Sequence, residues 1–261
     1  LVHGGEVDVD AVCRAVETLL RERAPASSAP RVRGTELKLA APGFSTVQQV
    51  RALRLALDRF AAGGGAGLAA AGLSKGLTGF LTTLAAQAES LRGRLRRRGF
   101  RLVFQPIVTL RDRRPHHFEA LIRPQAAEET GEMPQSFVTL IEAAGLSAEL
   151  DLAVAAAATE SALAARAATV AVNISGMSLE DQAFRASLEQ TLDAAPELKG
   201  RLLFEITETA DIVDAATART TIDGLRARGY GVCIDDFGAG AASLRYLKLF
   251  NVDFVKIDGA Y

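Results

Sequence analysis

The sequence predicts an α/β fold on a mostly parallel sheet, preceded by a small α/β segment and a connecting helix. Three observations predict it. Short apolar runs near Val170–Ile174, Leu202–Ile206, Tyr230–Ile234 and Phe254–Ile257 read as buried strands. Ala-rich helical stretches such as Ser147–Ala167 and Ala215–Arg228 stand before and between them, the rhythm of parallel strands with helical crossovers. Two further strand-like runs, Leu102–Leu110 and His116–Ile122, are joined by the polar turn Arg111–Pro115, which is short enough only for an antiparallel pair. The number of strands favours a TIM-like barrel, with a flavodoxin-like layer as the alternative.

Composition sets the bounds. With 261 residues the chain holds one large domain, or a medium one and a small one. A formal charge of −1 gives no global pull toward polyanions, so a nucleic acid polymer is not an expected partner. A hydrophobic content of 49% suits a sizeable core, and no apolar run reaches the ~20 residues of a membrane span. No signal-peptide pattern opens the chain. The first residue is Leu1 rather than Met, so the expectation is an excerpt of a longer protein. Cys13 and Cys233 lie far apart, and Cys233 sits inside an apolar strand, where a small buried hydrophobe is expected rather than a disulfide or ligand. A reducing cytoplasm is the expected compartment.

Residues 1–75 differ in character from the rest and read as a small regulatory segment. Val9, Val12, Cys13, Val16, Leu19 and Leu20 recur at helical spacing behind the cap residue Asp8. Leu37 and Leu39 alternate with polar neighbours, a strand pattern. Ser45 opens a second helix, with Gln48 placed to complete a capping box and Val47, Val50, Leu53, Leu57 and Phe60 as its apolar face. Gly63–Gly67 then breaks it. This Gly-rich run lacks the Lys-Ser/Thr ending of a phosphate-binding loop and reads as a break only. Over 76–98, Leu77, Leu81, Leu84, Ala88, Leu91 and Leu95 form a heptad stripe that ends among Arg92, Arg94, Arg96, Arg97 and Arg98. Two accounts of the basic run stand level: a solvated helix C-terminus, and a signalling or dimer helix.

A domain spanning 99–261 carries the chemistry. Glu119 lies on the second strand. Asn173 ends the third, Glu205 lies on the fourth with Glu208 beyond it, Asp235 and Asp236 end the fifth, and Lys256 the sixth. In a parallel barrel such strand ends converge on one face. Carboxylates with an amide oxygen make a hard site suited to Mg²⁺ or Mn²⁺, and acids this close repel one another without a cation. Adjacent aspartates suit a pair of ions about 3.5–4 Å apart, the arrangement of phosphodiester cleavage. Lys256 is a candidate for orienting the attacking water or countering phosphoryl charge. Each residue alone has a plainer account: a paired strand carboxylate for Glu119, a cap for Asn173, a helix-start pair for Glu205 and Glu208, a salt bridge for Lys256 and Asp258. Successive strands all ending in such groups are harder to explain as surface decoration.

These residues resemble a known family. Phe118-Glu-Ala-Leu-Ile-Arg-Pro124 is similar to the signature of the EAL cyclic di-GMP phosphodiesterases. Phe104-Gln-Pro-Ile-Val108, Val172-Asn-Ile-Ser175, Phe204-Glu-Ile-Thr-Glu208, Asp235-Asp-Phe-Gly-Ala-Gly240 and Val252-Asp-Phe-Val-Lys-Ile-Asp258 follow in the family's order. The resemblance covers about residues 100–261. It implies a TIM-like (β/α)8 barrel with an antiparallel first strand, of which this chain holds about six strands. It implies Glu119, Asn173, Glu205, Asp235 and Asp236 as metal ligands for Mg²⁺ or Mn²⁺, two ions in the active form. By the same resemblance Lys256 positions the water, and Lys256, Glu119 and Asp235 carry catalysis. Gln105 and Arg123 contact cyclic di-GMP, and Glu208 holds the loop after the fifth strand, which couples a homodimer to the site. The implied reaction is hydrolysis to linear pGpG.

Departures from the pattern shape the expectations. The family's last two βα units, with a further glutamate and a glutamine, do not appear. A truncated chain, or one completed by another chain, is expected, and the 261 residues alone are expected to be inactive. Ala239 stands where Thr is typical and Ala241 where an aromatic is typical. The first segment has the place of a GGDEF domain without its motif, and reads as a degenerate or unrelated regulatory module linked to an upstream sensor. The rival to an enzyme is a cyclic di-GMP receptor or signalling scaffold.

Overall fold

The structure, a computed structural model, describes residues 7–23, 31–39, 41–44, 46–70, 73, 76–125, 133–165, 167–207, 212–238 and 243–259. The chain divides into two compact units, Leu1–Ala88 and Glu89–Tyr261.

In the first unit, α1 (Val9–Arg23) begins where expected, with Asp8 Oδ1 accepting from the Ala11 N–H at 3.0 Å. α2 (Thr46–Ala70) departs from its expected face. Ala52, Leu55 and Ala56 are buried, while Val50 and Leu57 are 57% and 61% exposed. Alanine carries too little hydrophobic weight to dominate a pattern, yet its small size lets a neighbour pack close. The Gly-rich break falls at Gly64, whose φ of 58° kinks the helix. Residues 31–39 join no ladder, so the strand expected around Leu37 and Leu39 is absent; alternation makes a strand only where a partner strand exists. Ser45 lies outside the described residues. α3 (Gly76–Arg96) runs through the division at Ala88 and buries Leu77, Leu81 and Leu84 before it and Leu91 and Leu95 after it, all of the predicted stripe.

The second unit is a six-stranded sheet in the order β1-β2-β3-β4-β5-β6. β1 (Phe100–Val108) and β2 (Pro115–Pro124) pair antiparallel, as the short turn required. Thr109 and Arg114 close that turn, where Arg113 adopts φ 59°. β3 (Val170–Ile174), β4 (Leu202–Thr207), β5 (Gly231–Phe237) and β6 (Phe254–Ile257) follow in parallel. The crossovers are helical. α4 (Pro134–Ala143) and α5 (Ser147–Ala164) lead into β3; α6 (Gly176–Leu179) and α7 (Gln182–Asp193) lead into β4; α8 (Ala215–Ala227) leads into β5; α9 (Ser243–Leu249) leads into β6. Asp181 and Asp214 cap α7 and α8 by accepting two backbone N–H groups each.

Period-two alternation divides the strands between two environments. Val170, Val172, Ile174, Leu202, Phe204, Ile206, Val232 and Ile234 are buried on the helix-covered face. Full burial of each such side chain contributes about 1.5–3 kcal/mol. The residues between them face the other way, toward the concave side. There Gly231 leaves room that its neighbour uses: a Cβ at this position would meet Leu203 Cδ2 at 2.5 Å. The sheet is open, with β1 and β6 as its edges; Phe104, Phe254 and Val255 are exposed, and Ile257 is 72% exposed.

Candidate metal and phosphodiester site

The register sets the site. Asn173 lies level with Glu205, and Thr207 level with Asp235, so polar residues of neighbouring strands are staggered along one face. Glu119, Glu205 and Asp235 each place a carboxylate oxygen within 4.8 Å of the other two. At such separations each like-charged pair repels by about 3 kcal/mol at an effective dielectric of 20. Lys256 offsets this. Its Nζ donates to Asp235 Oδ2 at 2.8 Å, Glu205 Oε2 at 3.1 Å and Glu119 Oε2 at 3.4 Å. Asn173 Nδ2 lies 3.4 Å from Glu119 Oε1. Three carboxylates against one ammonium leave two negative charges, which matches a divalent cation, and every ligand atom on offer is a hard oxygen.

Protonation follows from this crowding. Burial alone would raise the Glu205 carboxyl, but the nearby His117 ring and the Lys256 charge reverse that and hold it below the usual carboxylate range. Burial alone would lower the Lys256 ammonium, but its hydrogen bond to Asp235 and the Glu205 charge hold it raised. Burial foremost, then the Glu205 charge, pushes the Cys233 thiol up to about 12, so it is an inert core thiol.

Not every predicted residue joins the cluster. Asp236 is exposed, lies outside the 4.8 Å group and adopts φ 53°, a left-handed conformation that aspartate tolerates better than most residues. The β5–β6 register shifts between Ile234 and Phe237, and as chain neighbours on a strand the two aspartates point to opposite faces. Burial and the charges of Asp235 and Asp258 push the Asp236 carboxyl up. Gln105 is exposed and stands opposite Glu119 in the β1–β2 register. Arg123 lies on the face of β2 that carries Glu119, about 13 Å further along, with Nη1 donating to the Ile122 carbonyl at 2.8 Å. Glu208, Ala239 and Ala241 lie outside the described residues.

Two residues escaped the sequence reading. His117 is on the same face as Glu119, and its Nε2 lies 3.8 Å from Glu205 Oε1; counting back two residues from Glu119 finds it. Asp151, a lone acid in an Ala-rich helix, is buried. Its Oδ2 accepts from the Ser175 N–H at 2.8 Å and the Ser178 hydroxyl at 2.6 Å, fixing the turn that follows Asn173. Burial pushes its carboxyl up to about 6.

Known proteins resemble this chain in the same region. A family model described as the EAL domain matches residues 88–261. Cyclic di-GMP phosphodiesterase PdeF of Escherichia coli is 31% identical over 180 residues, covering 67% of this chain and 24% of that protein. An uncharacterized protein of Mycobacterium tuberculosis, Rv1357c, is 33% identical over 178 residues, covering 66% of this chain and 58% of its own. Among solved structures, the FimX EAL domain of Pseudomonas aeruginosa bound to c-di-GMP matches with a TM-score of 0.59 at 28% identity, over 66% of this chain and 72% of that one. The chain thus spans less than two thirds of the length of these curated relatives.

Proposed function

We propose, from the premise that this chain belongs to the EAL family, that its site hydrolyses cyclic di-GMP to linear pGpG with Mg²⁺ or Mn²⁺. One observation carries the proposal: Glu119, Glu205 and Asp235 converge from separate strands around a single ammonium, with Asn173 beside them. PdeF is named as a phosphodiesterase of this dinucleotide, and the FimX domain is described as bound to it, which supports the choice of substrate.

Glu119, Asn173, Glu205, Asp235 and Asp236 would hold the ions, with Asp236 turning inward from its exposed position. Bound there, a divalent cation supplies Lewis acidity toward a water and the phosphodiester. The chain's own residues do the rest. Lys256, kept protonated by its carboxylate neighbours, orients the attacking water and counters phosphoryl charge. Gln105, opposite Glu119, contacts the dinucleotide, and Arg123 takes a phosphate with its planar fork of donors. Glu208 holds the loop after β5 and links the site to a homodimer partner. Residues 1–75 and the helix over 76–98 carry regulation from an upstream sensor. Among the described residues no helix is long and apolar enough to cross a membrane.

A receptor that binds cyclic di-GMP without turnover is the second reading, favoured by Ala239 and Ala241 in the turn that follows the aspartates. One assay separates them. The full-length protein is incubated with cyclic di-GMP and Mg²⁺ or Mn²⁺, and pGpG is followed. Metal-dependent turnover that disappears in Glu119→Ala is the expected result. Tight binding without turnover overturns the enzyme in favour of the receptor, and no binding leaves a scaffold.

A further inference from the structure

His117 is 8% exposed, and its Nε2 is buried with no hydrogen-bond partner. That nitrogen faces Glu205 Oε1 at 3.8 Å, while Lys256 donates to the other oxygen, Oε2, at 3.1 Å. On its far side the ring meets His116: the two Nδ1 atoms are 2.8 Å apart, and the rings stand edge to face with centroids 5.1 Å apart. A contact of 2.8 Å between two ring nitrogens needs a hydrogen on one and a lone pair on the other.

Two neutral arrangements satisfy that contact. If His117 Nδ1 carried the hydrogen, its Nε2 would aim a lone pair at the Glu205 carboxylate, buried and repulsive. If His116 Nδ1 donates, His117 Nδ1 accepts, and the His117 hydrogen sits on Nε2, directed at Glu205. Electrostatics selects the second arrangement. The geometry points to His117 as a positioning residue: its Nε2–H, fixed by the exposed His116, faces Glu205 Oε1 across a 3.8 Å charge contact and steers that carboxylate toward the cation site. Glu205 is 1% exposed, and the ring and Lys256 face one of its two oxygens each. Groups that orient a ligating carboxylate from behind tune metal affinity as well as geometry.

The positioning role rests on the metal reading above; the tautomer does not. The closing experiment reads both. Long-range ¹H–¹⁵N correlation on the ¹⁵N-histidine-labelled chain at pH 8 reports the tautomer of each of its three histidines. The expected result is a neutral His117 with its hydrogen on Nε2, and loss of that single tautomer in His116→Ala, a change at an exposed position that leaves the fold intact. A hydrogen on Nδ1 in the wild type, or an unchanged spectrum for His117 in His116→Ala, overturns the arrangement. Mn²⁺ binding, followed by electron paramagnetic resonance, is expected to weaken about 10-fold in His117→Leu and to recover most of that in His117→Gln, which restores an N–H donor. Equal affinity in folded His117→Leu overturns the positioning role. No Mn²⁺ binding by the wild type counts against the metal reading instead, and leaves the tautomer result standing on its own.

Discussion

Phe204 and Glu205 are neighbours in the chain and lie on opposite faces of one strand. Phe204 belongs to the helix-covered face, where Val172, Ile174, Ile206 and Val232 surround the sheet with apolar side chains. Glu205 belongs to the concave face, where a carboxylate as fully buried as the phenyl ring depends on Lys256 and His117 for company. Phe204 and Glu205 are equally buried, but the two faces are held together by different physics. The outer face is stabilised by non-directional burial spread over many residues. The inner face is stabilised by a few directional contacts among charges, and each of its members is strained without the others. A change on the outer face should therefore cost stability and leave the chemistry alone; a change on the inner face should do the reverse or make stability depend on a cation.

The largest effect is expected on the outer face. Phe204→Ala should lower unfolding stability by about 3–5 kcal/mol in denaturant titrations, while the Mn²⁺ affinity of the remaining folded protein stays near wild type. Next comes the counter-ion. Lys256→Met should destabilise the metal-free protein by about 3 kcal/mol, since it leaves three crowded carboxylates without a positive partner, and saturating Mn²⁺ should return most of that loss. A loss that Mn²⁺ does not repair would place Lys256 with the packing residues instead.

The last of these effects is confined to a window of pH. The Asp151 carboxyl is raised from 3.8 to about 6 in the folded protein. The folded state therefore holds a proton that the unfolded chain has released, and this contribution to stability falls as pH rises from about 4 to about 6. Asp151→Asn does not titrate and keeps an oxygen for Ser175 and Ser178. Relative to wild type it should gain stability across that window, by up to about 3 kcal/mol, and stay level above it. Melting curves of the two proteins from pH 4 to pH 8 measure this difference directly, and a constant gap would contradict it.

The two faces also differ in how much of them the sequence reveals. The outer face is legible because burial needs only a run of apolar residues, and all four parallel strands follow from such runs. The inner face is legible in part: Glu119, Asn173, Glu205, Asp235 and Lys256 stand out because polar groups inside apolar strands lack another explanation. What stays hidden depends on partners from distant elements. The irregular register beside Asp236 comes from the pairing of β5 with β6, and the contact His117 makes comes from the facing Glu205. In the first unit, the buried face of α2 is built on Ala52 and Ala56, whose value lies in their small size. The absent strand at Leu37 and Leu39 teaches the same lesson, because alternation without a neighbour makes no ladder.

The central claim is that the inner face of this sheet is a divalent-cation site. Mn²⁺ titration of wild type and Glu205→Gln, followed by electron paramagnetic resonance, tests it most directly. Gln keeps the size and buries no new charge, but removes the charge of one of the three clustered carboxylates. Saturable binding by the wild type that weakens at least about 100-fold in the variant is the predicted result. Equal binding by the two proteins would contradict it.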